Sequence, residues 1–100
     1  MNQTTVYLFA KWKVKEGQLD NVLPLLPELA QKSREEEGNL FYKLHQSNSD
    51  QNTLMLYEGY ADANAVEAHR NSKHFQELVL GKIVSNLESR EAVLASELNI

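Results

Sequence analysis

The sequence predicts an α+β protein of the ferredoxin-like kind, with the element order β-α-β-β-α-β and a four-stranded antiparallel sheet. Three segments alternate apolar and polar residues as strands do, and a weaker fourth lies near the carboxyl end. Two regions between them place apolar residues at helical spacing. The length of 100 residues, with 42% hydrophobic and 24% charged residues, suits one domain over residues 1–100.

The first strand and the first helix occupy the amino-terminal third. Residues 5–14 alternate strictly, which predicts a strand with two different faces. Residues 19–33 change to helical spacing. Pro24 and Pro27 predict a late start or a kink, because proline beyond the first turn removes a backbone donor and clashes with the preceding turn.

The middle of the chain predicts a helix end and a hairpin. We expect Gly38 to close the helix as a left-handed cap, and the acidic run at residues 35–37 to be a solvated helix end. Residues 39–47 and 53–60 alternate as strands, and the polar residues 48–52 between them predict a turn. The two strands should therefore form an antiparallel hairpin.

A broken helical region and a last strand follow. Asp62 should cap a short helix at residues 63–70, and Ser72 should cap a second one at residues 73–87. Residues 91–98 are the predicted fourth strand.

The predicted sheet has one face without helices, and this face is rich in aromatic residues. Such an apolar patch calls for a partner, so we expect a symmetric homodimer that packs sheet against sheet. Lysines and a histidine should lie nearer its rim. The predicted face carries Tyr7, Phe9, Phe41, Met55 and Tyr57, and the rim Lys11, Lys13, Lys43 and His45.

Composition excludes several partners and chemistries. Ten basic and fourteen acidic residues give a net charge of −4, and the basic residues are scattered, so we expect no nucleic-acid partner. The absence of cysteine excludes disulfides, thiolate metal sites and cysteine nucleophiles. Residues 1–5 do not begin a secretion leader, and no apolar run approaches the roughly 18 residues that span a bilayer. We therefore expect a cytoplasmic protein without membrane contact.

Four motifs resemble the antibiotic biosynthesis monooxygenase family, especially its small bacterial members named quinol monooxygenases. They are residues 33–42 (SREEEGNLFY), 57–60 (YEGY), 65–69 (AVEAH) and 72–75 (SKHF), so the resemblance extends over nearly the whole chain. It implies a dimeric α+β barrel with a pocket between sheet and helices in each subunit. It also implies oxidation of an aromatic substrate by O₂ without metal, flavin or haem.

The resemblance places the pocket at the helix-facing side of the strands, where Glu58 is the informative residue. An apolar strand face rarely buries a carboxylate unless a partner or a function requires it. His69, on the inward face of the short helix, is the expected partner. We predict Glu58 and His69 as the catalytic pair, with the imidazole as the base that takes a phenolic proton. A purely structural pair that ties helix to sheet is an equal alternative.

Six further residues are predicted to bind the substrate. For each of them a structural role is the common alternative: core packing for the aromatic residues, a solvated position for the histidine and a turn for the asparagine. They are Trp12, Asn39, Tyr42, Tyr60, His74 and Phe75.

We expect no cofactor and no metal ion. His69 and His74 lie five residues apart across a predicted helix break, unlike the i, i+4 histidine pair of zinc proteases. Haem-degrading relatives carry an asparagine, a tryptophan and a ligating histidine where this chain has Ala10, His69 and Val79, so haem is not the expected substrate. No cluster of Arg or Lys in the pocket layer predicts a phosphate site, although the resemblance extends to a relative that processes a phosphorylated autoinducer.

These observations predict a cofactor-independent monooxygenase that oxidises a small quinol or phenol with O₂. One alternative is an isomerase or lyase that uses the same acid–base pair on a small carbonyl or autoinducer-like compound. The other is a non-catalytic, ligand-binding dimer.

Overall fold

The computed structural model describes residues 4–100. Residues 1–3, part of the amino-terminal segment that was expected not to begin a secretion leader, lie outside the described residues. The strands are β1 (Val6–Val14), β2 (Asn39–Gln46), β3 (Thr53–Tyr60) and β4 (Leu87–Ala95). The helices are α1 (Leu19–Val22), α2 (Leu26–Arg34) and α3 (Ala63–Arg70), with a π-helix at Phe75–Ile83 and 3₁₀ turns at Leu23–Leu25 and Val84–Asn86. The strands form one antiparallel sheet in the order β2-β3-β1-β4. The predicted ferredoxin-like α+β fold is confirmed.

The register of the sheet brings the pocket residues into one row. Leu8 of β1 lies opposite Glu58 of β3, and Glu58 lies opposite Tyr42 of β2. All three side chains are buried on the side that the helices cover. Phe9, the neighbour of Leu8, points to the other side and is 46% exposed. The alternation read from the sequence therefore separates a core face from an outer face correctly, except at Leu40, which was expected on the core face and is 55% exposed where the β2–β3 register shifts.

The predicted kink in the first helix is present. Pro24 lies in the 3₁₀ turn between α1 and α2, and Pro27 lies in the first turn of α2. Backbone N–H groups in a first helical turn have no intrahelical acceptor, so proline there removes no hydrogen bond. The break lets α2 turn and bury Leu29 and Ser33 against the sheet.

The predicted left-handed cap at Gly38 is wrong. α2 already ends at Arg34, and Gly17 (φ 80°) is the glycine with positive φ in the described part of the chain. Gly38 instead lies against α3, where a Cβ atom would come within 2.4 Å of the Cβ of Ala65. Its carbonyl also accepts a hydrogen bond from the N–H of Ala61 at 2.8 Å. Close packing, not backbone conformation, requires glycine here.

Both predicted caps of the second helical region are confirmed. Asp62 Oδ1 accepts a hydrogen bond from the N–H of Ala65 at 2.9 Å, and Ser72 Oγ accepts one from the N–H of Phe75 at 3.2 Å. Such bonds satisfy amide groups that the helix itself leaves free. The region is therefore broken at Ser72, as its sequence indicated.

The ends of the last two elements differ from the prediction. The long helix expected to reach Leu87 is a π-helix that ends at Ile83, and Leu87 begins β4. β4 spans Leu87–Ala95, not residues 91–98. It is an edge strand in which residues 88–94 are exposed on both faces, so no alternation of apolar and polar residues marks its limits.

The outer face of the sheet carries the aromatic cluster that the sequence predicted. The ring of Tyr57 lies 4.9 Å from that of Phe9 and 4.6 Å from that of Phe41. Met55 and Val93 on the same face are 40% and 58% exposed. None of the helices in residues 4–100 has the length and hydropathy of a bilayer-spanning helix.

Candidate functional site

A cavity of about 450 Å³ lies between the helix-facing side of the sheet and the segment from α3 to the π-helix. Its wall is mostly apolar, as is usual for small-molecule sites. Polar side chains interrupt this wall, among them the buried Tyr42, Glu58 and His69. The cavity thus combines an apolar surface with a few groups able to orient a substrate or move a proton.

Glu36 is the hydrogen-bond partner of one ring nitrogen of His69. The Nδ1 atom of His69 lies 2.7 Å from Glu36 Oε2, and the Nε2 atom of His74 lies 2.5 Å from the same oxygen. A carboxylate can only accept, so both imidazoles donate an N–H to it. The prediction that the whole acidic run is solvated is therefore wrong for Glu36, whose side chain is only 15% exposed. The flanking Glu35 and Glu37 are exposed as predicted.

Glu58 is buried and has Tyr60 as its hydrogen-bond partner. The Tyr60 hydroxyl donates to Glu58 Oε1 at 2.6 Å. His69 Nε2 lies 3.8 Å from the same oxygen, which is close enough for an electrostatic interaction and too long for a hydrogen bond. The predicted Glu58–His69 pair is thus a close approach, and the direct hydrogen bonds of the two residues go to Tyr60 and Glu36.

Burial raises the pKa values of three residues in this layer, Tyr42, Glu58 and Tyr60. Burial raises the pKa of Glu58, while the hydrogen bond from Tyr60 and the neighbouring His69 oppose that rise. Burial, followed by the charge of Glu58, holds the pKa values of Tyr42 and Tyr60 well above the ordinary value for tyrosine. Both phenols therefore remain protonated at neutral pH, and the Tyr60 hydroxyl donates its proton to the hydrogen bond with Glu58.

Local structure fixes the direction of the His69 ring. Val66 and His69, three residues apart on α3, are its buried side. The Ser72 hydroxyl donates to the His69 carbonyl at 2.6 Å, just beyond the end of α3 at Arg70. The rings of Tyr60 and Phe75 lie 5.3 Å and 5.2 Å from the imidazole. His69 is therefore held by packing on its faces and by Glu36 at one nitrogen.

The structure brings most of the predicted site residues to the cavity and places three elsewhere. Trp12, Tyr42, Glu58, His69 and Phe75 line it. Tyr60 lies behind Glu58, and His74 lies beside Glu36. Asn39 uses its side-chain amide to donate to the carbonyl of Phe41 at 3.1 Å. None of these last three belongs to the cavity wall of the described chain.

Sequence reasoning missed the arginines at the cavity. Arg70, at the end of α3, and Arg90, on β4, both contribute to its wall. Arg90 lies opposite Trp12 in the β1–β4 pairing and so shares its face of the sheet. Correct placement of β4 would have revealed this position.

Sequence reasoning also missed Glu36. The one feature of the sequence that could have indicated Glu36 is its position. It lies in the turn between α2 and β2, two residues before Gly38, which packs against α3. Together with His69 and His74 it forms a group of three potential metal ligands whose donor atoms lie within 4.8 Å of one another. The spacing of the two histidines alone did not predict this group.

A family model described as "Antibiotic biosynthesis monooxygenase" matches residues 5–79, from β1 into the π-helix. This span includes Glu36, Glu58, His69 and His74. The chain belongs to the antibiotic biosynthesis monooxygenase family. The resemblance noted in the sequence is thereby confirmed.

Individual relatives and solved structures agree with the assignment of this chain to the family. It is 35% identical over 74 residues to the "Putative monooxygenase YcnE" of Bacillus subtilis, which covers 74% of this chain and 78% of the relative. A crystal structure of an antibiotic biosynthesis monooxygenase matches with a TM-score of 0.88 and 29% identity, over 93% of this chain and 98% of the other. PA3566 from Pseudomonas aeruginosa matches with a TM-score of 0.89 and 28% identity, over 98% of both chains.

Proposed function

We propose that this protein is a cofactor-independent monooxygenase that oxidises a small quinol or phenol with O₂, and that His69 is its catalytic base. The hydrogen bond from His69 Nδ1 to Glu36 is the observation that carries the proposal. A neutral imidazole has one N–H, so an Nδ1–H donated to Glu36 leaves Nε2 with a free lone pair. His69 lines the cavity, where this lone pair is available to a substrate hydroxyl.

In this proposal two carboxylates stabilise the protonated form of the base. His69 Nε2 takes the phenolic proton, and Glu36 stabilises the imidazolium that forms, as a carboxylate does when it orients a catalytic histidine. Glu58, 3.8 Å from Nε2, adds a second negative charge beside the cation. Tyr42, a protonated phenol in the cavity wall, is placed to donate a hydrogen bond to a substrate oxygen.

The substrate itself supplies the electrons. A quinolate transfers one electron to O₂, the two radicals combine at a ring carbon, and the resulting peroxide loses water. The overall reaction, quinol + O₂ → hydroxyquinone + H₂O, is balanced without an external reductant. The apolar wall, with Trp12 and Phe75, would hold an aromatic ring and exclude bulk water.

The experiment is oxygen uptake with a reduced naphthoquinol. The wild-type protein should consume O₂ faster than buffer, and His69→Ala should lower that rate by about 10²–10⁴-fold, the usual contribution of a general base. His45→Ala is the matched control, because His45 is an exposed histidine on the outer side of β2. Wild-type turnover no faster than buffer, or full activity in His69→Ala, would contradict the proposal. Turnover of a carbonyl substrate without O₂ would instead assign the isomerase or lyase alternative.

We also propose that the protein is a homodimer in which the outer faces of two sheets pack together. This face carries a contiguous group of exposed aromatic and aliphatic side chains, including Phe9, Met55 and Val93. Lys11 lies opposite Glu91 on the same face, so both signs of charge occur there. A surface with both signs complements itself across a two-fold axis. A second copy is therefore the occupant that fits it.

Light scattering coupled to gel filtration tests the dimer. Phe9→Glu should convert the wild-type dimer into a monomer, because it places a charge in the centre of the apolar face. Leu23→Glu is the control, since Leu23 is a 37% exposed leucine in the helical layer. A monomeric wild type, or a Phe9→Glu variant that stays dimeric, would show that this face is not the interface.

A further inference from the structure

The Glu36–His69–His74 cluster lies on the side of the His69 ring away from the cavity. His69 Nδ1 faces Glu36, whereas Nε2 faces Glu58. Glu36 and His74 are 15% and 12% exposed, and neither contributes to the cavity wall. Two imidazole nitrogens and a carboxylate oxygen from three separate segments thus converge outside the substrate space. We propose that they bind a divalent metal ion that prefers nitrogen and oxygen ligands, such as Zn²⁺.

The donor set suits such an ion chemically. Two imidazoles and one carboxylate are common ligands of Zn²⁺, and three protein ligands leave a position for water. At bond lengths of 2.0–2.2 Å, tetrahedral ligand atoms lie about 3.3 Å apart. The present separations of 2.7 Å and 2.5 Å therefore need to open by roughly 0.6–0.8 Å. Partial exposure of Glu36 and His74 gives the ion access from solvent.

Metal binding changes the position of the proton on each imidazole of the cluster. Each imidazole loses the proton from the nitrogen that binds the ion and carries one on its other nitrogen, so both rings remain neutral. For His69 that other nitrogen is Nε2, which faces the Glu58 carboxylate. A metal-bound histidine whose second N–H points at a carboxylate is the usual outer arrangement of such sites. Tyr60 fixes Glu58 from behind by its 2.6 Å hydrogen bond.

Occupation of this site would change the chemistry of the cavity. His69 Nε2 would carry a proton and could no longer accept one from a substrate hydroxyl. The ion would therefore act as an inhibitor that binds outside the substrate space. This consequence rests on the proposed function, whereas the binding of the ion does not.

Direct binding is the test, with untagged protein freed of metal by a chelator and then by gel filtration. Titration with Zn²⁺ in a calorimeter should show one ion per chain, and Co²⁺ should develop the visible absorption of a low-symmetry site. His74→Ala and Glu36→Gln should weaken the binding of both ions by more than the 10–100-fold that loss of an outer-shell partner costs. Glu35→Gln and His45→Ala, which change an exposed acid and an exposed histidine, should bind as the wild type does.

Thermal unfolding separates loss of the site from loss of the fold. Saturating Zn²⁺ should raise the Tm of the wild type and of both control variants, because an ion that binds only the folded state stabilises it. It should not raise the Tm of His74→Ala, whose own unfolding transition shows that it is folded. Absence of saturable binding to the wild type, or equal weakening in the control and ligand variants, would overturn the proposal. Neither result depends on whether the protein has oxygenase activity.

Discussion

Replacement of Gly38 by alanine is expected to destabilise the protein through one atomic contact. The added Cβ atom would lie 2.4 Å from the Cβ of Ala65, at the point where the turn before β2 meets α3. Carbon atoms in contact are normally 3.5–4.0 Å apart. The turn and the helix would therefore have to separate by about 1.1–1.6 Å.

The size of the effect follows from that separation. Overpacking of this kind costs about 1–3 kcal/mol of unfolding free energy. For a domain of 100 residues each kcal/mol lowers Tm by about 4–8 °C, so Gly38→Ala should lower it by roughly 5–20 °C. α3 also carries His69, the base that we propose, and displacement of a catalytic group by about 1 Å can cost 10²-fold in rate. Oxygen uptake with the naphthoquinol should fall by about that factor.

A double-mutant cycle identifies the cause. Ala65→Gly removes the atom with which the new side chain collides, so Gly38→Ala should cost much less in that background, as measured by calorimetric Tm. Gly17→Ala is the comparison, because Gly17 has φ 80° and a Cβ added there would meet no atom within 4 Å. Its cost should come from backbone strain and be the same in both backgrounds. A Gly38→Ala protein as stable as the wild type, or no recovery with Ala65→Gly, would refute the steric explanation.

Three further changes have defined outcomes. Tyr60→Phe removes the donor to the buried Glu58, so urea denaturation should show a loss of about 1.5–3 kcal/mol. The pKa of Glu58 would then rise further, so the loss should be larger near neutral pH than near pH 5, and an equal loss at both would contradict this explanation. Hydrogen bonds from Lys13 and Thr53 lower the pKa of Asp50 to about 2 from 3.8, so its stabilising effect is present above the unfolded value and is lost as the pH falls through about 2. Asp50→Asn should lower Tm at neutral pH and flatten its decline in acid, and an unchanged acid profile would show that this group is not responsible. Zn²⁺ should inhibit oxygen uptake in a way that excess chelator reverses, and full activity of metal-loaded protein would mean that the ion leaves the base free.

Much of the fold was predictable because its signals are local. Alternation of apolar and polar residues marks β1, β2 and β3, since helices cover one face of each strand and not the other. Asp62 and Ser72 bond to amides three residues away, so the sequence contains both partners. Glu58 was recognisable as a candidate site residue because a carboxylate on a core face is rare.

The remaining features depend on contacts between distant parts of the chain. Glu36 points inward because α3 and the following helix bring two histidines to the turn after α2, and nothing within the turn itself indicates this. Gly38 was misassigned because positive φ and close packing both select glycine, and only the position of Ala65 distinguishes them. The apolar residues of the π-helix also fit the spacing of an ordinary α-helix, so the sequence did not indicate that this helix ends at Ile83, before Leu87.

The run Glu35-Glu36-Glu37 also has a practical consequence for crystallisation. Clusters of glutamate are the segments usually replaced by alanine to reduce the conformational entropy of a protein surface, because long charged side chains lose the most freedom when a lattice orders them. Replacement of Glu35 and Glu37 would have that effect, since both are exposed. Replacement of all three would also remove the carboxylate that two imidazoles share. Crystals of such a variant would then show His69 without its hydrogen-bond partner at Nδ1, and the layer around it would not be that of the native protein.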